Sequence, residues 1–376
     1  MDKELKHQID RWLKANNQDT TSFKHRAEAF WQWFLRKESK LSKMLERLDK
    51  YSSEEITEFI AKGTSLLAED VHFNIGGDKE FAFSIEGNYH LFYLYPYLIS
   101  LMPEQLKGKW HFFPFNQGIT RPLGLHMYSI NVNTADVYVA VDYNEKQNNF
   151  AIAFYEENLC SLPEEQSYET FYTMMEIMLG EGLSYLYISE VERSDKLTAA
   201  MIPLPELSRH IAKTLNEHGK EVFDNPQKTY ICYHLNPQDN DELRSDVVVG
   251  NTCFSGLISQ YYQHDTELSD NLKQFGTQAA FLTFAYEKED DGTERGNNVL
   301  SFRHDLEERI EREILQPEGL GLLLGGALGT KNCYIDILLY DIRSFLEKVV
   351  PLLREYPQYS FYLSDFRPNG QLLKLS

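Results

Sequence analysis

The spacing of apolar positions changes period several times along the chain, and those changes outline its elements. From Phe23, apolar residues recur at Ala27, Phe30, Trp31, Phe34, Leu41, Met44, Leu45 and Leu48, which is helical spacing. Thr21 or Ser22 supplies an N-cap. Ser52 and Glu55 stand in capping-box spacing ahead of Ile56, Phe59, Ile60, Leu66 and Leu67, so another helix is expected there. Residues 1–70 therefore read as helical.

The period then falls to two. "VHFNIGGDKEFAFSIEG" predicts a hairpin turning at Gly76, Gly77 and Asp78. A helix is expected over Tyr89–Met102, then a strand at "KWHFFPF". "DVYVAVDYNEKQNNFAIAFYE" predicts a second hairpin turning over Glu145–Asn149. Ser161 and Glu164 have capping-box spacing for a helix running to Leu179, with Gly180 as its stop. "LSYLYIS" predicts a strand, and "LPELSRHIAKTLNEHG" a helix ended by Gly219. Tight hairpins among helices imply an antiparallel or mixed sheet.

"DNPQKTYICYHLNPQDNDELRSD" is polar and proline-punctuated around one strand, which places a boundary near residue 225. Two domains are expected, 1–225 and 226–376. In the second, "QAAFLTFAYE" predicts a strand and "RHDLEERIEREIL" a helix stopped by Pro317. Strands "GLGLLLGGALG" and "CYIDILLYD" follow. Then come a helix capped by Asp341 and bent at Pro351, and the strand "YSFYLSD". The order β-α-β-β-α-β is that of a ferredoxin-like domain. The expected fold class is α+β, with a helical N-terminus and an antiparallel or mixed α/β domain ahead of that unit.

Bulk properties narrow the function classes. The 376 residues suffice for a sizeable core, and a formal charge of −20 opposes sequence-independent nucleic-acid binding. A basic protein partner suits that charge, and 23 Phe with 23 Tyr provide aromatic surface for one. The charged opening "MDKELKHQIDRWLK" does not resemble a secretory signal. The longest apolar runs span about a dozen residues against the roughly 20 a membrane helix needs, so no membrane association is expected. Four scattered cysteines make no disulfide framework, and a cytoplasmic location follows.

The glycine run of Gly319, Gly321, Gly325, Gly326 and Gly329 invites a phosphate-loop reading, which fails on two counts. Lys331 lies between Thr330 and Asn332, outside the P-loop pattern. Leu324 takes the third glycine position of the dinucleotide pattern, and the run is followed by a strand. Close approach of neighbouring strands explains the glycines instead. Along "CYIDILLYD", Tyr334, Asp336 and Tyr340 share one strand face, with Ile335, Ile337 and Leu339 on the other. The first set is expected on an open face, as a binding stripe or an edge charge. Cys232 and His234 share another strand face and have zinc-ligand chemistry, with Cys253 and His264 beyond, but the spacing fits no familiar site. No cofactor is expected. No complete catalytic constellation stands out; Cys253 in "GNTCFSG" and Glu181 with Glu190 are the nearest to one.

The segments "FWQWFLRKESKLSKMLERLDK", "KEFAFSIEGN", "LYPYLISLMP", "GKWHFFPF" and "IMLGEGLSYLYI" resemble a widespread family of uncharacterised bacterial cytosolic proteins, over about the first 220 residues. "GGALGTKNCYIDILLYD" is similar in layout to ferredoxin-like regulators of the ribonuclease E inhibitor B family. These resemblances imply a non-enzymatic bacterial protein such as a regulator or a toxin-immunity protein. The expected function is binding of a macromolecular partner. The alternative is a hydrolase-like enzyme built around Cys253 or Glu181 and Glu190. Oligomeric state stays open.

Overall fold

A computed structural model describes residues 3–16, 21–238, 240, 242–286 and 294–376. The chain parts into two compact units. One comprises Met1–Val71, Ser100–Leu106 and Thr229–Ser376, the other His72–Ile99 and Lys107–Lys228. The N-terminal helices thus group with the C-terminal sheet and not with the segment that follows them.

Three helices open the chain: α1 (Lys3–Ala15), α2 (Phe23–Leu45) and α3 (Ser53–Thr64). Ser22 caps α2, its Oγ accepting from the His25 amide. Two further amide donors of that first turn go to the Gly276 and Tyr340 carbonyls, which fixes the start of α2 against the first unit. The expected capping box of α3 is complete: the Glu55 amide donates to Ser52, and the Ser52 amide to Glu55.

In the second unit, β1 (His72–Ile75) and β2 (Glu80–Ser84) form the expected hairpin, and β3 (His111–Phe113) adds parallel to β2. The helix expected over Tyr89–Met102 divides into a 3-10 turn, Tyr89–Tyr93, and α4 (Tyr95–Ser100). Pro96 sits in the first turn of α4, where an amide hydrogen would have no helical partner. A small hairpin, β4 (Gly124–Met127) and β5 (Ile130–Asn133), follows. The second expected hairpin is β6 (Tyr138–Asn144) with β7 (Asn149–Tyr155). Beyond it lie α5 (Glu157–Ser161), α6 (Glu164–Leu179), α7 (Glu181–Tyr187), β8 (Ile188–Arg193), β9 (Ile202–Pro203) and α8 (Leu207–Glu217). The sheet order is β8-β7-β6-β9, with β7 and β8 parallel. Phe171, Met174 and Met178 of α6, with Ile211 and Leu215 of α8, cover one face of it over Val139, Phe150, Ile152 and Phe154.

Two local expectations are overturned here. Ser161 and Glu164 make no capping box: α6 follows Pro163, and the side-chain cap belongs to Glu156 at the start of α5. "LSYLYIS" is mostly helix, because Leu183, Leu186 and Tyr187 also satisfy helical spacing and pack on the core in that form.

The first unit is built on a seven-stranded sheet. Its elements are β10 (Ile231–His234), β11 (Val247–Thr252), α9 (Ser255–Tyr262), α10 (Glu267–Gln274), β12 (Gln278–Ala285), α11 (Glu294–Ile310), α12 (Gln316–Glu318), β13 (Gly321–Gly329), β14 (Asn332–Leu339), α13 (Ile342–Leu353), β15 (Phe361–Asp365) and β16 (Leu373–Lys374). The order is β10-β11-β13-β14-β12-β15-β16, with every neighbouring pair antiparallel. The fold is α+β. Leu5, Ile9 and Leu13 of α1, Leu306 and Ile310 of α11, and Phe345, Leu346 and Val349 of α13 pack on Leu282, Phe284, Ile335, Ile337 and Leu363. The opposite face is covered too: Tyr261 of α9 meets Phe281 and Phe366, and Phe23 of α2 meets Tyr340.

Pro317 does not stop the helix after β12. A π turn, Glu311–Leu315, joins α11 to α12, and left-handed Gly319 ends the run. Pro317 has no N–H for the Glu313 carbonyl, and the ladder loosens just before it.

Candidate functional site

The most concentrated chemistry of the first unit surrounds Arg244, the end of the segment Glu242-Leu243-Arg244 that leads into β11. Its backbone is left-handed, with φ of 62°, and its side chain is wholly buried. The guanidinium donates to both oxygens of Asp336, at 2.5 and 3.1 Å, and to the Tyr233 hydroxyl at 3.1 Å. The ring centroids of Phe366, Tyr334, Phe281 and Tyr261 lie 4.9, 5.0, 5.1 and 5.8 Å from its central carbon. Burial alone would lower its pKa, and the Asp336 carboxylate overrides that and holds it well above the usual value.

The residues expected to form an exposed stripe are therefore internal. Tyr334, Asp336 and Tyr340 are 1%, 0% and 3% exposed, because Arg244, α9 and α2 cover the sheet face that the strand pattern leaves open. Tyr334 donates to Asp246, whose other oxygen accepts from the Lys331 and Asn332 amides and so clamps the β13–β14 turn. Burial first, then the bond to Asp246, pushes the Tyr334 hydroxyl up. Arg244 and Asp246 are the site residues that sequence reasoning missed. The signal was present: an Asp flanked by isoleucines needs a cation once buried, and Arg244 is the basic residue of an otherwise acidic loop.

The metal reading gains no support from position. Cys232 and His234 both lie exposed on edge strand β10, and no group of three His, Cys, Asp or Glu among the described residues could hold an ion. Cys253 is buried beside Tyr230, and burial pushes its thiol up to about 12, the wrong direction for a nucleophile. Glu181 spends its carboxylate on structure. It accepts from Ser84 Oγ at 2.6 Å, the Ile85 amide at 3.0 Å and the Asn116 amide at 2.8 Å. Glu190 is exposed on β8. Cys253 belongs to the first unit and the two glutamates to the second.

Glu307 of α11 is a titrating group that the apolar pattern concealed. It pairs with Arg303 at 3.2 Å above the β13 glycines, and burial pushes its carboxyl up to about 7 despite that partner. The folded chain therefore holds this proton more tightly than the unfolded chain, whose ordinary value is 4.5. The resulting stabilisation is complete below 4.5 and lost as the pH rises through about 7. Glu307→Gln is expected to flatten that part of the stability profile, measured by urea midpoints across the window. An unchanged slope in the variant would refute the assignment.

In the second unit, the sheet face away from α6 and α8 is open. Cross-strand rows place Asp142, Ala151 and Glu190 side by side, then Ala140, Ala153 and Glu192, then Tyr138 with Tyr155. Three alanines floor a concavity of about 300 Å³ between Asp142 on one side and the two glutamates on the other. None of the three carboxylates is hydrogen-bonded or ion-paired among the described residues. The small side chains leave the floor of this concavity open, and its rim is negatively charged.

No helix among the described residues is long and apolar enough to cross a membrane. Comparison with known proteins gives no match: no family model, no curated protein and no solved structure aligns with the chain.

Proposed function

We propose that the chain works by binding a basic protein partner on the open face of β8-β7-β6-β9. The observation that carries this reading is the alanine floor bounded by Asp142, Glu190 and Glu192, three carboxylates with no partner among the described residues. A lysine- or arginine-bearing helix or strand would set its backbone on Ala140, Ala151 and Ala153 and its cations against the rim, with Tyr138 and Tyr155 as aromatic contacts at one end. The net charge of −20 would speed the encounter. The setting is cytoplasmic, where the four free cysteines stay reduced. The role is that of a bacterial regulator or toxin-immunity protein. The first unit is its ferredoxin-like scaffold, a reading supported by the strand order β13-β14-β12-β15 and the two helical crossovers.

The test is partner retention by the tagged full chain at low and rising salt, for wild type and for Asp142→Lys/Glu190→Lys/Glu192→Lys. A control variant, Glu46→Lys/Glu54→Lys, reverses exposed charges on other elements. The face variant is expected to lose the partner by at least about tenfold and the control to keep it. A partner held equally by all three proteins would sink this reading.

An enzymatic reading around Cys253 or Glu181 and Glu190 finds less to build on. The thiol is buried with a raised pKa, and Glu181 is occupied by backbone amides.

A further inference from the structure

We infer that the cleft beside Arg244, in the first unit, is a binding site for a small organic cation with an apolar body. The cleft encloses about 350 Å³, within the size range of small-molecule sites. Tyr261, Tyr262 and Pro368 line it together with Glu242, Arg244 and His264. It is separate from the sheet face proposed above and rests on different residues.

Two features distinguish it from an incidental hollow. Arg244 lines this cleft with a left-handed backbone, φ of 62°, whereas the left-handed His264 is the ordinary terminator of α9, the Asp265 amide beyond it donating to the Gln260 carbonyl. A side chain as large as that of Arg244 is strained in that region, and the buried pairing with Asp336 holds it there. The hydroxyl of Tyr262 also donates to the Arg244 carbonyl at 3.1 Å, which orients a half-buried aromatic ring in the wall.

Charge decides the ligand class. Arg244 contributes no free positive charge, because Asp336 takes its guanidinium in a two-point contact and four rings enclose it. Glu242 is the carboxylate among the lining residues, and it has no hydrogen-bonding or ionic partner for its side chain among the described residues. An anion would meet the Glu242 carboxylate, with His264 the lining side chain left to oppose it. An ammonium gains both the carboxylate and the tyrosine ring face, and its apolar body replaces water along Tyr261 and Pro368.

The probes are phenethylammonium and phenylacetate, which share an apolar body and differ in charge, titrated calorimetrically into the full chain. Phenethylammonium is expected to bind saturably, and phenylacetate at least tenfold more weakly. Glu242→Gln should weaken phenethylammonium at least fivefold. Tyr262→Leu should weaken it similarly, while Tyr262→Phe retains the ring and most of the affinity. Asp142→Lys on the other unit should change nothing, so failure of this site and failure of the partner face are separable. No saturable phenethylammonium binding, equal binding of phenylacetate, or indifference to Glu242→Gln would each overturn the inference.

Discussion

Arg244→Ala is expected to cost about 3–5 kcal/mol of stability, and Asp336→Asn a comparable amount, because each leaves its partner's charge buried and uncompensated. The alanine variant also removes a cation from among four aromatic rings and a donor from Tyr233. Arg244→Lys should recover little, since an ammonium cannot span both oxygens of Asp336 as the guanidinium does at 2.5 and 3.1 Å. The informative variant is the double, Arg244→Met/Asp336→Leu. With no charge left to desolvate, it should be more stable than either single variant, a strongly non-additive outcome. Urea midpoints of the parent, Arg244→Met, Asp336→Leu and the double variant complete the cycle. Single substitutions costing under about 1 kcal/mol would show that the pair is not the buried anchor its geometry indicates.

That anchor also marks where reading the sequence stops. Ile335, Ile337 and Leu339 were legible as the core face of β14, because alternation in a strand assigns faces without knowledge of the rest of the chain. The elements flanking it were equally legible, since each is specified by residues within a few positions of one another: Asp341 capping α13 through the Ser344 amide is one case. What covers the second face of the sheet was not legible. The cover comes from Arg244, 92 residues before Asp336, and from Phe23 of α2, far earlier still. Period-two patterning cannot distinguish a polar residue facing water from one facing a distant cation. For the same reason the partition of α1 to α3 into the first unit was not legible, as an amphipathic helix carries no label for the sheet it covers. The open face of β8-β7-β6-β9 was half legible: Glu190 stands out as a carboxylate in a strand, but its alignment with Asp142 exists only through the register of β7.

Gly325→Ala and Gly326→Ala are expected to destabilise the first unit by about 3 kcal/mol or more each, and nucleotides should not rescue either. At Gly325 the backbone has φ of +132°, and a Cβ would fall 2.1 Å from the Asn251 carbonyl oxygen of β11. At Gly326 a Cβ would fall 2.5 Å from the Tyr334 carbonyl oxygen of β14 and 2.8 Å from a Glu307 carboxylate oxygen. The first obstruction is backbone of one neighbouring strand and the second backbone of the other, so no rotamer change relieves them. β13 must move, and it lies between β11 and β14, which carries Asp336. Gly124→Ala is the control, because nothing lies within 4 Å of its Cβ position, and it should stay within about 0.5 kcal/mol of the parent. A phosphate-binding loop behaves oppositely: alanine there spares the fold and removes a thermal shift that ATP or NAD produces in the parent. Thermal melts of the three variants with and without those nucleotides separate the two roles. A parent stabilised by nucleotide, with Gly325→Ala folded but unresponsive, would return the run to the phosphate-loop class; loss of the fold without any nucleotide effect assigns it to close packing of the sheet.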